Sequence, residues 1–429
     1  MRRLPRDAEP VCSLILARVS RSFESIRAVI ESLRPPVPRG LLNALCLGVL
    51  RNYKLLAEAA AGCGARVERP FPRGPRGWLT LVAAYEAMMR PHIPLERIEA
   101  KTGVDRGALQ CMRSLDAKEL VRGRPRLEAL SILYSQPLWV VEKLQQAEPP
   151  GGIEALLRSF QEPTPLWLRV NIKAVNLGDA LERLSALGVE ARPDPVLPDV
   201  VEVVKTEPGA IERLPRSLFY PQDRSAALVG NVAVNVAPRA STVLDTFSAP
   251  GNKLAHLYWR LGTAYAAAVD LSQRRMEAER RLHRSQGVAL VDYVAADARR
   301  LPLRGGAYEL AIVDPDCTSM GRLGHSPETR LFLEEAGPQL LRRLTRLQLR
   351  SLLQAAASLK RGGHVVYSTC TLTLEENEDV VRKAMDEGGL EPADTRPVLG
   401  VPGGVRGSQR VYPHLHRCTG GFVAALEKA

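Results

Sequence analysis

From about Ser225 onward the chain repeats one pattern: a short apolar run ending in a polar turn residue, most often aspartate, and then a helical stretch. The runs are T-V-L-D ending at Asp245, A-Y-A-A-A-V-D at Asp270, residues 288–294 leading to Asp297, residues 310–314 ending at Asp314, and residues 365–368. Runs of this length without alternation suit strands buried on both faces. Helical patterns at 253–261 and 272–285 separate them, so the expected architecture is a doubly wound, largely parallel sheet. Such a sheet places its chemistry at the carboxyl ends of its strands. A last strand is expected at 421–426.

Two of these strand ends carry a cysteine: Cys317 in V-D-P-D-C-T-S and Cys370 in V-V-Y-S-T-C-T-L. Between them, residues 330–359 have leucines at helical spacing (Leu340, Leu341, Leu344, Leu347) with arginines on other faces, the pattern of crossover helices between neighbouring strands. Both thiols are therefore expected at one crevice. A lone strand-end cysteine usually acts as a small buried hydrophobe. Two at successive strand ends, each beside polar turn residues, point to chemistry.

The first third has no strand alternation. Helical stripes run over 11–33 and 41–61, with further helices at 78–89, 95–102, 107–116, 128–133 and 135–144, and the basic Pro/Gly connector R-P-F-P-R-G-P-R-G spans 69–77. Next comes a mixed stretch with a helix near 153–160, a strand L-W-L-R-V-N at 166–171, a helix at 177–187 and extended residues at 200–204. The expected fold is therefore multidomain: an all-α N-terminal domain (1–148), a small α+β middle domain (149–224) and a C-terminal α/β domain (225–429). The middle layout is common among RNA-binding modules and among plain structural inserts.

A chain of 429 residues exceeds one ordinary core, and its formal charge of +12, with arginine ahead of lysine, favours a nucleic-acid partner. Seven cysteines without paired C-x-x-C spacing resemble neither a disulfide framework nor a zinc finger, and a reducing cytoplasm is expected. The N-terminal Met-Arg-Arg is followed by no signal-peptide pattern, and no stretch reaches a membrane span. No metal is expected; His414, His416 and Cys418 alternate, but no evident fourth ligand lies near them.

The first turn of the sheet is F-S-A-P-G-N-K (Phe247, Ser248, Ala249, Pro250, Gly251, Asn252, Lys253). It lacks the G-x-G-x-x-G that brings backbone up to a pyrophosphate, which argues against a nicotinamide or flavin dinucleotide. Adenosine without phosphate remains possible, with Asp270 accepting both ribose hydroxyls and Asp297 meeting the adenine. S-adenosylmethionine is such a cofactor.

These motifs together resemble the RsmB/Sun (Fmu) family of S-adenosylmethionine-dependent RNA 5-methylcytosine methyltransferases. The turn 247–253 looks like the family's C-A-A-P-G-G-K, residues 314–319 like its D-x-P-C-S-G, and Tyr367 to Glu378 like its Y-S-T-C-S-x-x-x-E-E-N-E almost letter for letter. F-Y-P-Q-D-R-S-A (219–226) and L-R-V-N (168–171) are similar to segments leading into the family's catalytic domain. G-V-L-R-N (48–52) and Q-P-L-W-V-V (136–141) are similar to the NusB-like helical domain of the RsmB branch.

The resemblance implies a Rossmann-like class I methyltransferase domain acting as a monomer on ribosomal or transfer RNA. It implies S-adenosylmethionine held by residues 247–253, Asp270, Asp297 and Asp314. The implied catalytic set is Cys370 as nucleophile at carbon 6 of cytosine, Asp314 on the base, Cys317 assisting release, and Lys253. Asp316 stands where the family has proline, and a carboxylate there is expected to disfavour the Cys317 thiolate. Asn252 replaces a glycine, and asparagine's tolerance of left-handed backbone is expected to preserve the turn. The alternatives are an RNA-binding assembly factor that keeps the fold without turnover, and a DNA cytosine methyltransferase in which Cys317 would attack.

Overall fold

The computed structural model describes residues 5–262 and 265–429; the N-terminal Met-Arg-Arg and Ala264 of the second expected strand lie outside them. The chain divides into two compact units, one of Met1–Pro163 with Arg322–Pro338, the other of Thr164–Gly321 with Gln339–Ala429. The helix Ile153–Ser159, read from sequence with the middle region, belongs to the first unit, and the middle sheet belongs with the large one.

The first unit is helical, and each of its two long expected stripes is broken. The first becomes Ala8–Ser22 and Ile26–Leu33, because Phe23 takes a left-handed conformation (φ 55°) and Ser25 caps the next helix through Ala28 N–H. The second becomes Arg39–Arg51 and Tyr53–Gly62, and the Asn52 amide donates back to the Gly48 carbonyl at 2.8 Å. Hydrophobic periodicity runs through both breaks, so it could not show them. The segment 322–338 is held by Arg330, whose buried guanidinium donates to the carbonyls of Arg51 (2.8 Å) and Phe160 (2.9 Å).

The expectation of no disulfides is corrected here: Cys12 pairs with Cys46 and Cys63 with Cys111, across Cα separations of 5.7 and 5.8 Å. The partners lie 34 and 48 residues apart on packed helices, a proximity that local spacing does not encode.

The second unit holds two sheets. The smaller has β1 (Trp167–Val170), β2 (Val189–Pro193), β3 (Val200–Thr206) and β4 (Phe219–Pro221), antiparallel in the order β2-β3-β1-β4. The larger has β5 (Thr242–Asp245), β6 (Tyr265–Asp270), β7 (Val291–Ala295), β8 (Tyr308–Val313), β9 (Leu359–Thr369), β10 (Leu390–Ala393), β11 (Val401–Pro402), β12 (Ser408–Val411) and β13 (Gly421–Lys428). Its order is β11-β12-β13-β9-β8-β5-β6-β7, with β10 on β13. Strands β5 to β9 are parallel and β13 runs antiparallel to β9. This is the Rossmann-like layout expected, with β10, β11 and β12 added. They are short, and two of them contain proline, so they carried no readable run.

The chain starts this sheet at β5, winds out through β6 and β7, then crosses back to β8 and β9. The reversal beside β5 makes a crevice at the strand ends, and the expected cofactor turn and both cysteine loops lie there.

Candidate active site

Both cysteine loops leave the sheet at adjacent parallel strand ends, and their sulfurs meet: Cys317 Sγ lies 2.9 Å from Cys370 Sγ. The Cys317 thiol is pushed well above its ordinary range, first by its hydrogen bond to Cys370 and then by burial. Either sulfur can donate in this contact. Lys253 reaches the same spot. Burial opposes its charge, but Asp314, Asp245 and Cys370 together hold the ammonium in its charged form. Lys253 Nζ bonds one oxygen of Asp314, and Ser368 Oγ donates to the other at 2.7 Å.

A residue not singled out from sequence fixes this geometry. Glu376 is fully buried, and its carboxylate accepts from Thr318 N–H (2.9 Å), Thr318 Oγ1 (2.6 Å), Thr373 Oγ1 (2.9 Å) and Gln348 Nε2 (3.0 Å). One carboxylate from the Cys370 loop thus clamps the residue next to Cys317. Glu376 is also among the groups that raise the Cys317 pKa, and Asp316, next to Cys317, is exposed. The rest of E-E-N-E is structural. Asn377 accepts from Thr369 Oγ1 at 2.5 Å, and Glu378 pairs with buried Arg410. Acidic residues in a loop look solvated in a sequence, so only the strand-end context could have flagged Glu376.

Glycines bring a third segment in. Gly321 N–H donates to the Cys370 carbonyl at 3.0 Å, and a Cβ on Gly321 would stand 2.1 Å from the Gly420 carbonyl oxygen. Ser319 occupies the glycine position of the family's loop and does adopt left-handed backbone, φ 57°. Its hydroxyl lies 3.3 Å from Cys370 Sγ.

At the other end of the crevice, Phe247 to Lys253 form the β5 turn. The left-handed residue is Gly251 (φ 100°), and Asn252 is the first residue of the helix Asn252–Leu261. The expectation that Asn252 must tolerate left-handed backbone is corrected, since Gly251 carries that duty. A Cβ on Gly251 would meet His283 Nε2 at 2.5 Å. Under the turn, buried Glu279 accepts from Ser248 Oγ at 2.9 Å, and burial pushes its carboxyl up to about 8. His283 contacts the Gly251 carbonyl (3.0 Å) and the Tyr293 hydroxyl (2.8 Å). From the small sheet, buried Arg169 donates to the Asn252 carbonyl at 2.7 Å and stacks over Trp259, pinning the turn to β1. It stands in the L-R-V-N segment, but its long-range partners left no mark in the sequence.

The expected adenosine-binding acids are at their strand ends. Asp270 accepts from Ser272 N–H (2.8 Å) and pairs with Arg275, while Asp297 is gripped by the Arg299 fork at 2.6–3.0 Å. Asp245 is fully buried, and its carboxyl is pushed up to about 7, first by burial. This set fits a methyl donor bearing ammonium and sulfonium charges: carboxylates ring the turn, and Asn252 Oδ1 is buried with no partner. A pyrophosphate would meet these acids with repulsion.

His414, His416 and Cys418 do not converge. His416 Nδ1 engages the Tyr412 backbone, and Cys418 is buried. Among the described residues no group of three His, Cys, Asp or Glu is arranged to hold a metal, and no helix is long and apolar enough to cross a membrane.

Comparisons with known proteins agree with this geometry. The family model for 16S rRNA methyltransferase RsmB/F matches residues 233–427, and that for the RsmF/B-like ferredoxin-like domain matches 136–208. Ribosomal RNA small subunit methyltransferase B of Xanthomonas campestris is 28% identical over 97% of this chain and 95% of its own. The protein of that name from Yersinia pestis is 25% identical over 97% and 98%. The crystal structure of PH0851 superposes with a TM-score of 0.77 at 21% identity over 100% of both chains. NSun6 from Pyrococcus horikoshii gives 0.59 at 22% identity, over 67% of this chain and 97% of that one. With RsmB/F family models matched over residues 136–208 and 233–427 and relatives similar over nearly the whole length, the chain belongs to the RsmB/F family of S-adenosylmethionine-dependent methyltransferases.

Proposed function

We propose that the protein is an RNA (cytosine-5)-methyltransferase, acting on ribosomal RNA in the cytoplasm, with Cys370 as its nucleophile. The observation that carries this is the sulfur pair, with Cys317 Sγ 2.9 Å from Cys370 Sγ and within reach of the Lys253 charge. Carbon 5 of cytosine is a poor nucleophile. Addition of the Cys370 thiolate to carbon 6 makes it an enamine carbon. Asp314, oriented by Lys253 and Ser368, is the group to hydrogen-bond the base near ring nitrogen 3. Bound S-adenosylmethionine supplies an electrophilic methyl group; residues 247–253, Asp270 and Asp297 are the residues to hold it.

Release requires that carbon 5 lose its proton and that the bond from carbon 6 to sulfur break. Cys317, 2.9 Å from Cys370, is the nearby base: after giving its own proton to solvent it takes the carbon 5 proton, the electron pair of that bond forms the carbon 5–carbon 6 double bond, and Cys370 leaves as the thiolate. The helical N-terminal part and the small sheet are assigned to RNA recognition.

The test is methyl incorporation from labelled S-adenosylmethionine into unmodified total RNA, with 5-methylcytosine mapped by sequencing. The parent is expected to label one or a few cytosines, and Cys370→Ala to reduce this by at least ~1,000-fold with S-adenosylmethionine binding intact. Labelling that survives Cys370→Ala would overturn the assignment. Absence of labelling in the parent would favour the assembly-factor alternative.

A further inference from the structure

The helix Gln339–Ser358 has two unlike faces. At ~100° per residue, Leu344, Gln348, Ser351 and Leu352 fall within an arc of about 100°. These are buried, and Gln348 Nε2 donates to the Asp316 carbonyl (3.1 Å) and to Glu376 (3.0 Å), which supports both cysteine loops. On the opposite side an arc of similar width, about 100°, holds Arg342, Arg343, Arg346 and Arg350, all exposed. With Arg299, Gln339 and Leu347 they line a cavity of about 370 Å³. Arg299 is itself forked onto Asp297, the acid assigned to the adenine.

None of the four helix arginines forms an ion pair among the described residues. Arg342 with Arg346, and Arg346 with Arg350, are like-charge pairs one turn apart, and each costs the helix about 0.2–0.5 kcal/mol. Some arginines elsewhere in this unit are paired, as Arg382 is with Asp379 and Arg410 with Glu378. The concave, uncompensated guanidinium surface is built for a run of anionic groups with planar bidentate acceptors.

We propose that this arginine face of the crossover helix is a docking surface for the ribose–phosphate backbone of the substrate RNA, flanking the target cytosine. The inference rests on the RNA methyltransferase reading and adds the path of the strand. Phosphates on Arg342 to Arg350 would follow about 12 Å of helix, one helix diameter (~10 Å) from the loops that carry Cys317 and Cys370. RNA is favoured over an acidic protein segment because the patch adjoins the assigned reaction crevice and its hollow is lined mainly by guanidinium groups, with Leu347 the one apolar side chain.

The experiment compares the full-length parent, the triple variant Arg342→Gln/Arg343→Gln/Arg346→Gln, and a control of equal charge change at the opposite end of the unit, Lys360→Gln/Arg361→Gln/Lys383→Gln. Binding of an in-vitro small-subunit rRNA transcript is measured as a function of salt, alongside S-adenosylmethionine affinity and the thermal midpoint. For the arginine variant we expect at least tenfold weaker RNA binding near 0.15 M salt. We also expect the magnitude of the log–log salt slope to fall by about 2 for three lost phosphate contacts. S-adenosylmethionine affinity should be unchanged, the thermal midpoint should not fall because both like-charge pairs are removed, and the control should bind within about threefold of the parent.

RNA affinity and slope equal to the parent's would overturn the proposal, as would equal losses in the control, which would reduce the patch to net charge. Competition by polyglutamate with no effect of the variant on RNA would assign the face to an acidic protein instead. If the parent itself methylates no RNA, the underlying reading fails. If it methylates and the variant matches it, only this inference fails.

Discussion

Two buried glutamates sit at opposite ends of the same crevice, and they are used in opposite ways. Glu376, in the Cys370 loop, is surrounded by four donors that satisfy both oxygens. Glu279, beneath the β5 turn, has one donor in Ser248 and an Oε1 with no hydrogen-bond partner, 3.6 Å from His283 Nε2. The first is a clamp that ties two loops into one rigid platform. The second is pushed up to about 8 by burial, with Asp245 and Asp270 adding to it, and therefore holds a proton at neutral pH. The end that does base chemistry is built in advance, while the end assigned to the methyl donor keeps unsatisfied groups that a ligand can use.

The same substitution should separate the two. Glu376→Gln puts an amide N–H₂ where only acceptors are wanted, and is expected to cost about 1–3 kcal/mol, read as a thermal midpoint several degrees lower, together with a large loss of methyl transfer. A midpoint within a degree of the parent's would mean that the clamp is not structural.

Glu279→Gln is expected to cost little near neutrality, where the parent residue is already uncharged. In the folded protein its pKa is raised from 4.5 to about 8, so between those values the folded state keeps a proton that the unfolded state has lost. Stability from this group therefore falls as pH rises from 4.5 to 8 and is level above that. The variant should lose that part of the slope and gain on the parent at pH 9, with the residual slope left by Asp245, raised to about 7. Parallel midpoint curves from pH 5 to pH 9 would show that Glu279 does not hold the proton.

The smallest effect is expected at Ser319. Its left-handed backbone costs a non-glycine residue about 1 kcal/mol, so Ser319→Gly should raise the midpoint slightly. Loss of the hydroxyl 3.3 Å from Cys370 should slow adduct formation a few-fold. Unchanged kinetics would make the hydroxyl incidental.

The large sheet was legible because β5, β6, β8 and the second half of β9 carry apolar runs closed by a polar turn residue, and the cysteine loops followed from it; the outer strand β7 is interrupted by Asp292 and is only partly buried. The breaks at Phe23 and Asn52 were not, because periodicity continues across them. Long-range pairings were hidden as well. Arg169 on Asn252, Glu376 on Thr318 and Cys63 with Cys111 join residues 83, 58 and 48 positions apart, and a charged or sulfur-bearing residue does not announce its partner. The family's motif letters located the site, while the geometry moved one duty within it, from Asn252 to Gly251.

The most direct test of the central claim, that Cys370 attacks and Cys317 releases, is to incubate Cys317→Ala with substrate RNA and S-adenosylmethionine, then resolve the products on a denaturing gel and map the crosslinked peptide by mass spectrometry. The account predicts a stable protein–RNA adduct on the peptide carrying Cys370, absent in the double variant Cys317→Ala/Cys370→Ala. An adduct that forms in Cys370→Ala and maps to Cys317 would contradict it.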